Sequence, residues 1–362
     1  MDSQLQYKCP SCGGSIEFDA ESQNLKCPYC DTEFEPETLA AYDEQLRETK
    51  EDQTRWDTVS ENTWSEEEAA GMAVYGCRSC GGEIAADTTT GATHCPWCGS
   101  PVVLMGQFAG SRKPDLVIPF QLDKKAAKEG LKKHLSGKKL LPKVFSDENH
   151  IDEIRGVYVP VWLFDTEADG QVRFKCTRSR VWQDRNYIYT ETKYYSVQRS
   201  GTMAFADIPV DGSTKMADDL MESIEPFDLK QAVDFQTAYL SGYLADTYDV
   251  SAEDCMPRAN QRVKETIERA LADTVRREYD SAVPESSAVQ YQGGQVRFAL
   301  YPVWVLQTSW QGQNYLFAMN GQTGKFVGNL PMDKKAWWKW WGIYGAVSSA
   351  VVLALAWLFT SL

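Results

Sequence analysis

Eight cysteines in four CxxC pairs, β-branched and aromatic runs from residue 156 onward, and a charge-free stretch at the C-terminus together predict a multidomain chain. The expected parts are two small zinc ribbons, an α+β cytoplasmic domain with antiparallel strands, and one C-terminal transmembrane helix. At 362 residues, with 43% hydrophobic and 12% aromatic content, the chain is long enough to build more than one core. Its net charge of -14, from 37 basic and 51 acidic residues, argues against a general polyanion binder, which needs clustered Lys and Arg. Cysteine pairing in CxxC turns, with Cys176 and Cys255 alone, fits metal binding in a reducing compartment better than a disulfide framework.

The first ribbon, residues 1–36, holds Cys9, Cys12, Cys27 and Cys30, and the second, residues 74–106, holds Cys77, Cys80, Cys95 and Cys98. The two are offset by 68, with fourteen residues between the CxxC pairs of each, and KCPSCGG aligns with GCRSCGG as KCPYCD does with HCPWCG. The unit is a duplicated module. A segment of about 30 residues buries too little apolar surface to fold alone, so metal must supply what a core cannot. Four thiolates from two turns fill a tetrahedral site and leave no open position, which makes two structural zinc ions the expected cofactors. Gly13, Gly81, Gly99 and Asp31 follow the second cysteine of each turn, where a positive φ is expected.

Cys27-Pro28-Tyr29-Cys30 also spells a dithiol redox motif, but the acidic DTEFEPE that follows is no helix start, and a partner CxxC stands fourteen residues upstream. Residues 37–73 read as an acidic helical linker: from Asp31 to Glu68, fourteen acidic residues face Arg47, Lys50 and Arg55, a net of -11.

The α+β domain spans 107–333. It opens with LDKKAAKEGLKKHLSGKKLLPK, a lysine-rich helix with Asp123 as N-cap and Gly137 as stop; a solvated face is its ordinary reading, and contact with anionic lipid is the functional one. VYVPVWLFD, QVRFKCTRSR and NYIYTETKYYSVQ are expected as a meander, with Asp165–Gly170 as a hairpin turn; Cys176 at its twelfth position rules out a calcium loop. Helices are expected around Lys215–Ile224 and Ala252–Tyr279, then strands QVRFALYPVWVLQTSW, NYLFAMN and KFVGNL around the turn NGQTG, which is too short for a phosphate loop. Tyr301-Pro302-Val303-Trp304 echoes Val159-Pro160-Val161-Trp162, a hint of a second duplication covering 157–199 and 296–330. His94, His134 and His150 belong to no catalytic motif, and no enzyme is expected.

MDSQLQYKCP lacks the basic and apolar regions of a secretion signal, so none is expected. Residues 334–341 carry four tryptophans and three lysines that suit a membrane interface, and 342–361 carry no charge. The expectation is a tail anchor: one pass through the cytoplasmic membrane, with the N-terminal part inside.

Together, two CPxC-type ribbons, GVYVPVWLFD, YLSGYLADTYD, YPVWVLQ, NGQTGK and the final apolar stretch resemble a family of bacterial membrane-anchored zinc-ribbon proteins. Members are often labelled for a primosomal-helicase or transcription-factor-type zinc ribbon. The helicase label finds no nucleotide-binding loop here. The resemblance implies work beside phage-shock-protein-A-like and SPFH-domain (flotillin-like) partners in envelope stress, and carries over zinc binding at the eight cysteines alone. The reading is an adaptor that recruits cytoplasmic proteins to the membrane; the alternative is a membrane-tethered nucleic-acid-binding regulator. Against the alternative, Tyr7–Pro36 has two lysines to six carboxylates, and neither ribbon has a basic face.

Overall fold

The computed structural model describes residues 9–12, 14–39, 56, 58–59, 62–87, 90, 92, 94–107, 112–147 and 151–360. The core of the expected acidic helix, along with Gly13, His150 and Ser361, lies outside the described residues.

Strands dominate. The first ribbon has β1 (Glu17–Asp19), β2 (Asn24–Lys26) and β3 (Glu33–Phe34) in an antiparallel sheet of their own, order β1-β2-β3. All others join a twelve-stranded sheet: β4 (Thr58–Val59), β5 (Met72–Gly76), β6 (Glu83–Asp87), β7 (Val103–Gln107), β8 (Leu116–Val117), β9 (Arg155–Gln183), β10 (Ile188–Asp211), β11 (Val233–Asp234), β12 (Leu244–Asp246), β13 (Ser281–Trp310), β14 (Gln313–Asn320) and β15 (Phe326–Gly328). Its main path runs β11-β8-β13-β9-β12-β6-β5-β7. The helices are α1 (Glu66–Ala70), α2 (Lys124–Leu135), α3 (Asp218–Ile224), α4 (Ala252–Val275) and α5 (Lys334–Thr360).

The expected α+β class with antiparallel strands is thereby corrected. The sheet is mixed, because β12 runs parallel to β9 (Ala245 opposite Tyr158) and β8 parallel to β13 (Leu116 opposite Ala299). Val157–Phe164 and Leu300–Leu306 are buried on both faces, which is why they read as continuous apolar runs and not as alternation. The hairpin turn expected at Asp165–Gly170 is absent, since β9 runs through it. Gly170 is there for packing: a Cβ would stand 2.3 Å from Ile267 Cγ2.

The two Pro-containing echoes occupy neighbouring strands, β9 and β13, in matching roles. Pro160 O accepts from Gly212 N at 2.9 Å and Pro302 O from Gly321 N at 2.8 Å. The buried indoles of Trp162 and Trp304 donate to Val250 O and Leu122 O, both at 3.0 Å.

The chain divides into two compact units, residues 1–58, 165–208 and 257–295, and residues 59–164, 209–256 and 296–362. The first contains ribbon 1 and a core in which Val263, Ile267, Leu271 and Val275, one stripe of α4, pack with Val172, Phe174 and Val289. The second has one core around Val157, Val159, Val161 and Val303, and another where Ala127 and Leu131 of α2 meet Trp304 and Phe317. Asp123 caps α2 by accepting from Ala126 N at 2.8 Å, and Gly137 leaves it at φ +76, both as expected.

The single-pass anchor expected at 342–361 is also corrected, and with it the membrane contact and location built on it. Among the described residues, no helix is long and apolar enough to cross a membrane. Lys334, Lys335, Lys339 and four tryptophans occupy the first eight residues of α5 and make that part of the helix too polar for a span. The helix begins docked on its own unit: Asp333 N donates to Leu140 O at 2.8 Å, and Lys139 Nζ lies 4.3 Å from the Trp340 ring.

Candidate metal centres

Each CxxC turn is closed by its own backbone, and the two ribbons repeat the pattern at the offset of 68. Cys9 N donates to Gly14 O at 2.7 Å and Cys77 N to Gly82 O at 2.9 Å; Cys27 N donates to Thr32 O at 3.0 Å and Cys95 N to Ser100 O at 2.8 Å. The residue after the second cysteine takes the left-handed conformation: φ is 56 at Asp31, 70 at Gly81 and 71 at Gly99. Glycine adopts it freely, and Asp is among the few other residues that tolerate it.

These turns bring together the sulfurs predicted from the sequence. Cys9, Cys12, Cys27 and Cys30 have Sγ atoms all within 4.8 Å of one another, and so do Cys77, Cys80, Cys95 and Cys98. Closest pairs are Cys9–Cys30 at 3.6 Å and Cys12–Cys27 at 3.5 Å, matched by Cys77–Cys98 at 3.5 Å and Cys80–Cys95 at 3.6 Å. Four sulfurs each about 2.3 Å from a tetrahedral ion lie about 3.8 Å apart, so both clusters fit a four-thiolate metal. None of the eight is in a disulfide.

In each ribbon a hydroxyl residue stabilises one thiolate. The Thr32 hydroxyl and amide hold Cys30 down to about 6. At the equivalent place, burial raises Cys98, but the hydroxyl and amide of Ser100 outweigh it and bring this thiol to about 6 as well. Burial pushes Cys95 up. Each cluster thus has one thiol brought down to near neutrality.

The surroundings of the two centres differ. In ribbon 1, Cys12 and Cys30 are exposed, and Tyr29 beside them is 73% exposed. In ribbon 2 the corresponding aromatic, Trp97, is 7% exposed and belongs with Cys77 and Cys95 to the core of its unit. The cause is strand pairing: Ala85 and Ile84 of β6 face Ala245 and Asp246 of β12, so ribbon 2 is an edge of the large sheet.

Beside ribbon 2 lies a polar cluster that sequence reading missed. Lys215 Nζ donates to Cys80 O at 3.4 Å and pairs with Asp249 at 3.1 Å, while Ser213 Oγ donates to Asp246 Oδ2 at 2.5 Å. Burial raises Asp246 to about 7 and Asp211 to about 8. The buried Trp97 indole faces the Asp246 carboxyl and favours its charged form against burial. Residues from four separate stretches, at 80, 97, 211–215 and 246–249, build this cluster, and no local motif announces it. Of the histidines, His94 pairs with Pro101 in an isolated bridge and is in neither sulfur cluster, and His134 stacks near Phe326.

These features define a class: a tandem four-cysteine ribbon protein in which one ribbon has a small sheet of its own and the other is built into a large mixed sheet. No family model matches the chain, and no solved structure matches it. It is 33% identical over 352 residues, 96% of its length and 97% of the relative's, to the uncharacterized protein YdjG of Bacillus subtilis (strain 168). The chain belongs to the family of that protein.

Proposed function

We propose that the chain is a zinc-dependent adaptor that binds other proteins, with both metal ions structural. The observation that carries this reading is the pair of closed four-sulfur clusters, each completed by its own chain. Zinc suits a tetrahedral set of four thiolates and needs no redox partner, and such a site has no position left for substrate. Ribbon 2 spends its metal on holding a sheet edge. Ribbon 1 holds Phe18, 56% exposed, and Tyr29 on a small sheet of its own, a rigid aromatic surface of the kind partner proteins use.

Proteins similar to phage-shock protein A and to SPFH-domain scaffolds are the first partners to test. The experiment is metal analysis of the purified full-length chain, followed by cross-linking in cells and mass spectrometry. Two zinc ions per chain, with protein cross-links that are lost when Tyr29 and Phe18 are replaced by Ser, would support the reading. Iron in the clusters, or no protein cross-linked above a control, would refute it.

A further inference from the structure

We propose that the β9–β10 hairpin is a docking arm for an acidic, extended segment of a partner protein, which adds to β10 as a further strand. This deepens the adaptor reading and rests on it. Four observations within the first unit lead to it.

The first is an open edge. Among the described residues β10, 24 residues long, pairs with β9 alone. A strand with an unpaired edge offers alternating N–H and C=O groups to any chain that lies beside it.

The second is exposure. From Arg178 the arm has left its core: residues 179–183 and 188–191 are all exposed, on both faces of both strands. Trp182, Tyr187, Ile188 and Tyr189 stand in water there, with Trp182 stacked on Tyr189 at 5.6 Å and Arg180 5.8 Å from the Trp182 ring. Trp, Tyr and Arg are the residues that dominate protein-binding hot spots, and the aliphatic Val181 and Ile188 beside them suit a protein better than a nucleic acid.

Charge is the third. Between residues 178 and 193 the arm has Arg178, Arg180, Arg185 and Lys193 against Asp184 and Glu191, a net of +2 in a chain of -14. The Asp184 carboxylate is folded into the turn, accepting from Asn186 N at 2.8 Å, Tyr187 N at 2.9 Å and Tyr189 Oη at 3.1 Å. Arg178 donates to Glu278 O at 2.6 Å and Lys193 pairs with Glu191 at 3.8 Å, so Arg180 and Arg185 give the exposed tip its positive charge. Cations along an edge keep a neutral strand or a second copy from pairing, and the same cations select an acidic one.

The fourth is a cavity of about 600 Å³ at the base of the arm, lined by Tyr194 of β10, Tyr279, Phe34 and Leu39, with Glu37 and Glu285 at its wall, so that it suits an uncharged side chain of the partner and not an acidic one. Lys175 crosses it to donate to Ser11 O at 2.8 Å. A strand laid along β10 would have an aromatic-lined pocket for one of its side chains, the arrangement by which strand addition gains specificity.

The test uses the full-length, zinc-loaded chain and a fluorescein-labelled dodecapeptide of alternating Glu and Val with one central Tyr, read by fluorescence anisotropy. The expected result is saturable binding, weakened at least tenfold in the double variant Arg180→Glu/Lys193→Glu and abolished by N-methylation of alternate peptide residues in one of the two possible phases. Zinc content and circular dichroism confirm that the variant is folded. Binding that ignores N-methylation would show charge attraction without strand addition and overturn the proposal. So would preference for an oligonucleotide of equal charge, or failure of the wild-type chain to bind the acidic peptide. Cellular cross-links separate the two levels: if they persist in the double variant, the adaptor reading stands and the arm does not; if the wild type has none, the adaptor reading itself fails.

Discussion

The two ribbons are copies of one unit, with the same cysteine spacing, the same closing hydrogen bonds and a left-handed residue at the same place, Asp31 in one and Gly99 in the other, yet Tyr29 of the first is exposed and Trp97 of the second is part of a core. Tyr29 and Trp97 stand at equivalent places, 73% and 7% exposed. The difference comes from outside the repeat. Two residues of β12, Ala245 and Asp246, pair with β6 and turn ribbon 2 into a sheet edge, and ribbon 1 has only its own three strands. A local, metal-held unit can thus be absorbed into a sheet or left free without any change to its metal chemistry.

Removing the metal should break this symmetry most strongly. A structural zinc site stabilises its fold by on the order of 10 kcal/mol. Cys27→Ser should lose one zinc and the fold of ribbon 1, leaving the rest of the melting transition in place. Cys95→Ser should also lose one zinc, but take the second unit's transition with it, as differential scanning calorimetry would show. Next in size is the aromatic pair. Trp97→Ala removes a core side chain and should cost about 3 kcal/mol, whereas Tyr29→Ala should stay within about 0.5 kcal/mol in denaturant titrations.

The third prediction concerns pH. Burial holds Asp246 protonated to about 7, above its unfolded value of about 3.9, so the folded state binds the extra proton between these limits. Stability therefore falls as pH rises through this window. From about pH 5 to about pH 7, the unfolding free energy from urea titrations should fall by on the order of 2 kcal/mol through Asp246, and Asp246→Asn should flatten the slope only in part, because burial also raises Asp211 to about 8. The smallest effect is at the turns: Asp31→Gly should stabilise ribbon 1 by about 0.5 kcal/mol or less, through relief at φ 56, while Gly99→Ala should destabilise, since its Cβ would lie 2.7 Å from Gln307 Oε1.

The metal ligands were legible because thiolate chemistry and spacing are written in adjacent residues, and the positive-φ residues followed from the same turns. The cap at Asp123 and the stop at Gly137 are equally local signals. What tertiary pairing decides was not legible. β12 has three residues and β8 has two, too short for any period, yet they make the sheet mixed and embed ribbon 2. Asp165–Gly170 looks like a turn by composition, but β9 continues through it because Gly170 lets α4 pack close. The uncharged C-terminal stretch is helical as expected, and among the described residues no helix is long and apolar enough to cross a membrane. The Asp211, Asp246 and Lys215 cluster draws on residues distant in sequence, and only the fold assembles it.

Hydrogen exchange followed by mass spectrometry, on the full-length chain before and after chelation, tests the central claim most directly. Loss of protection confined to β1–β3 around ribbon 1, but spreading from β5–β7 into β12 and β9 around ribbon 2, is the predicted result. Equally local loss at both ribbons would contradict it.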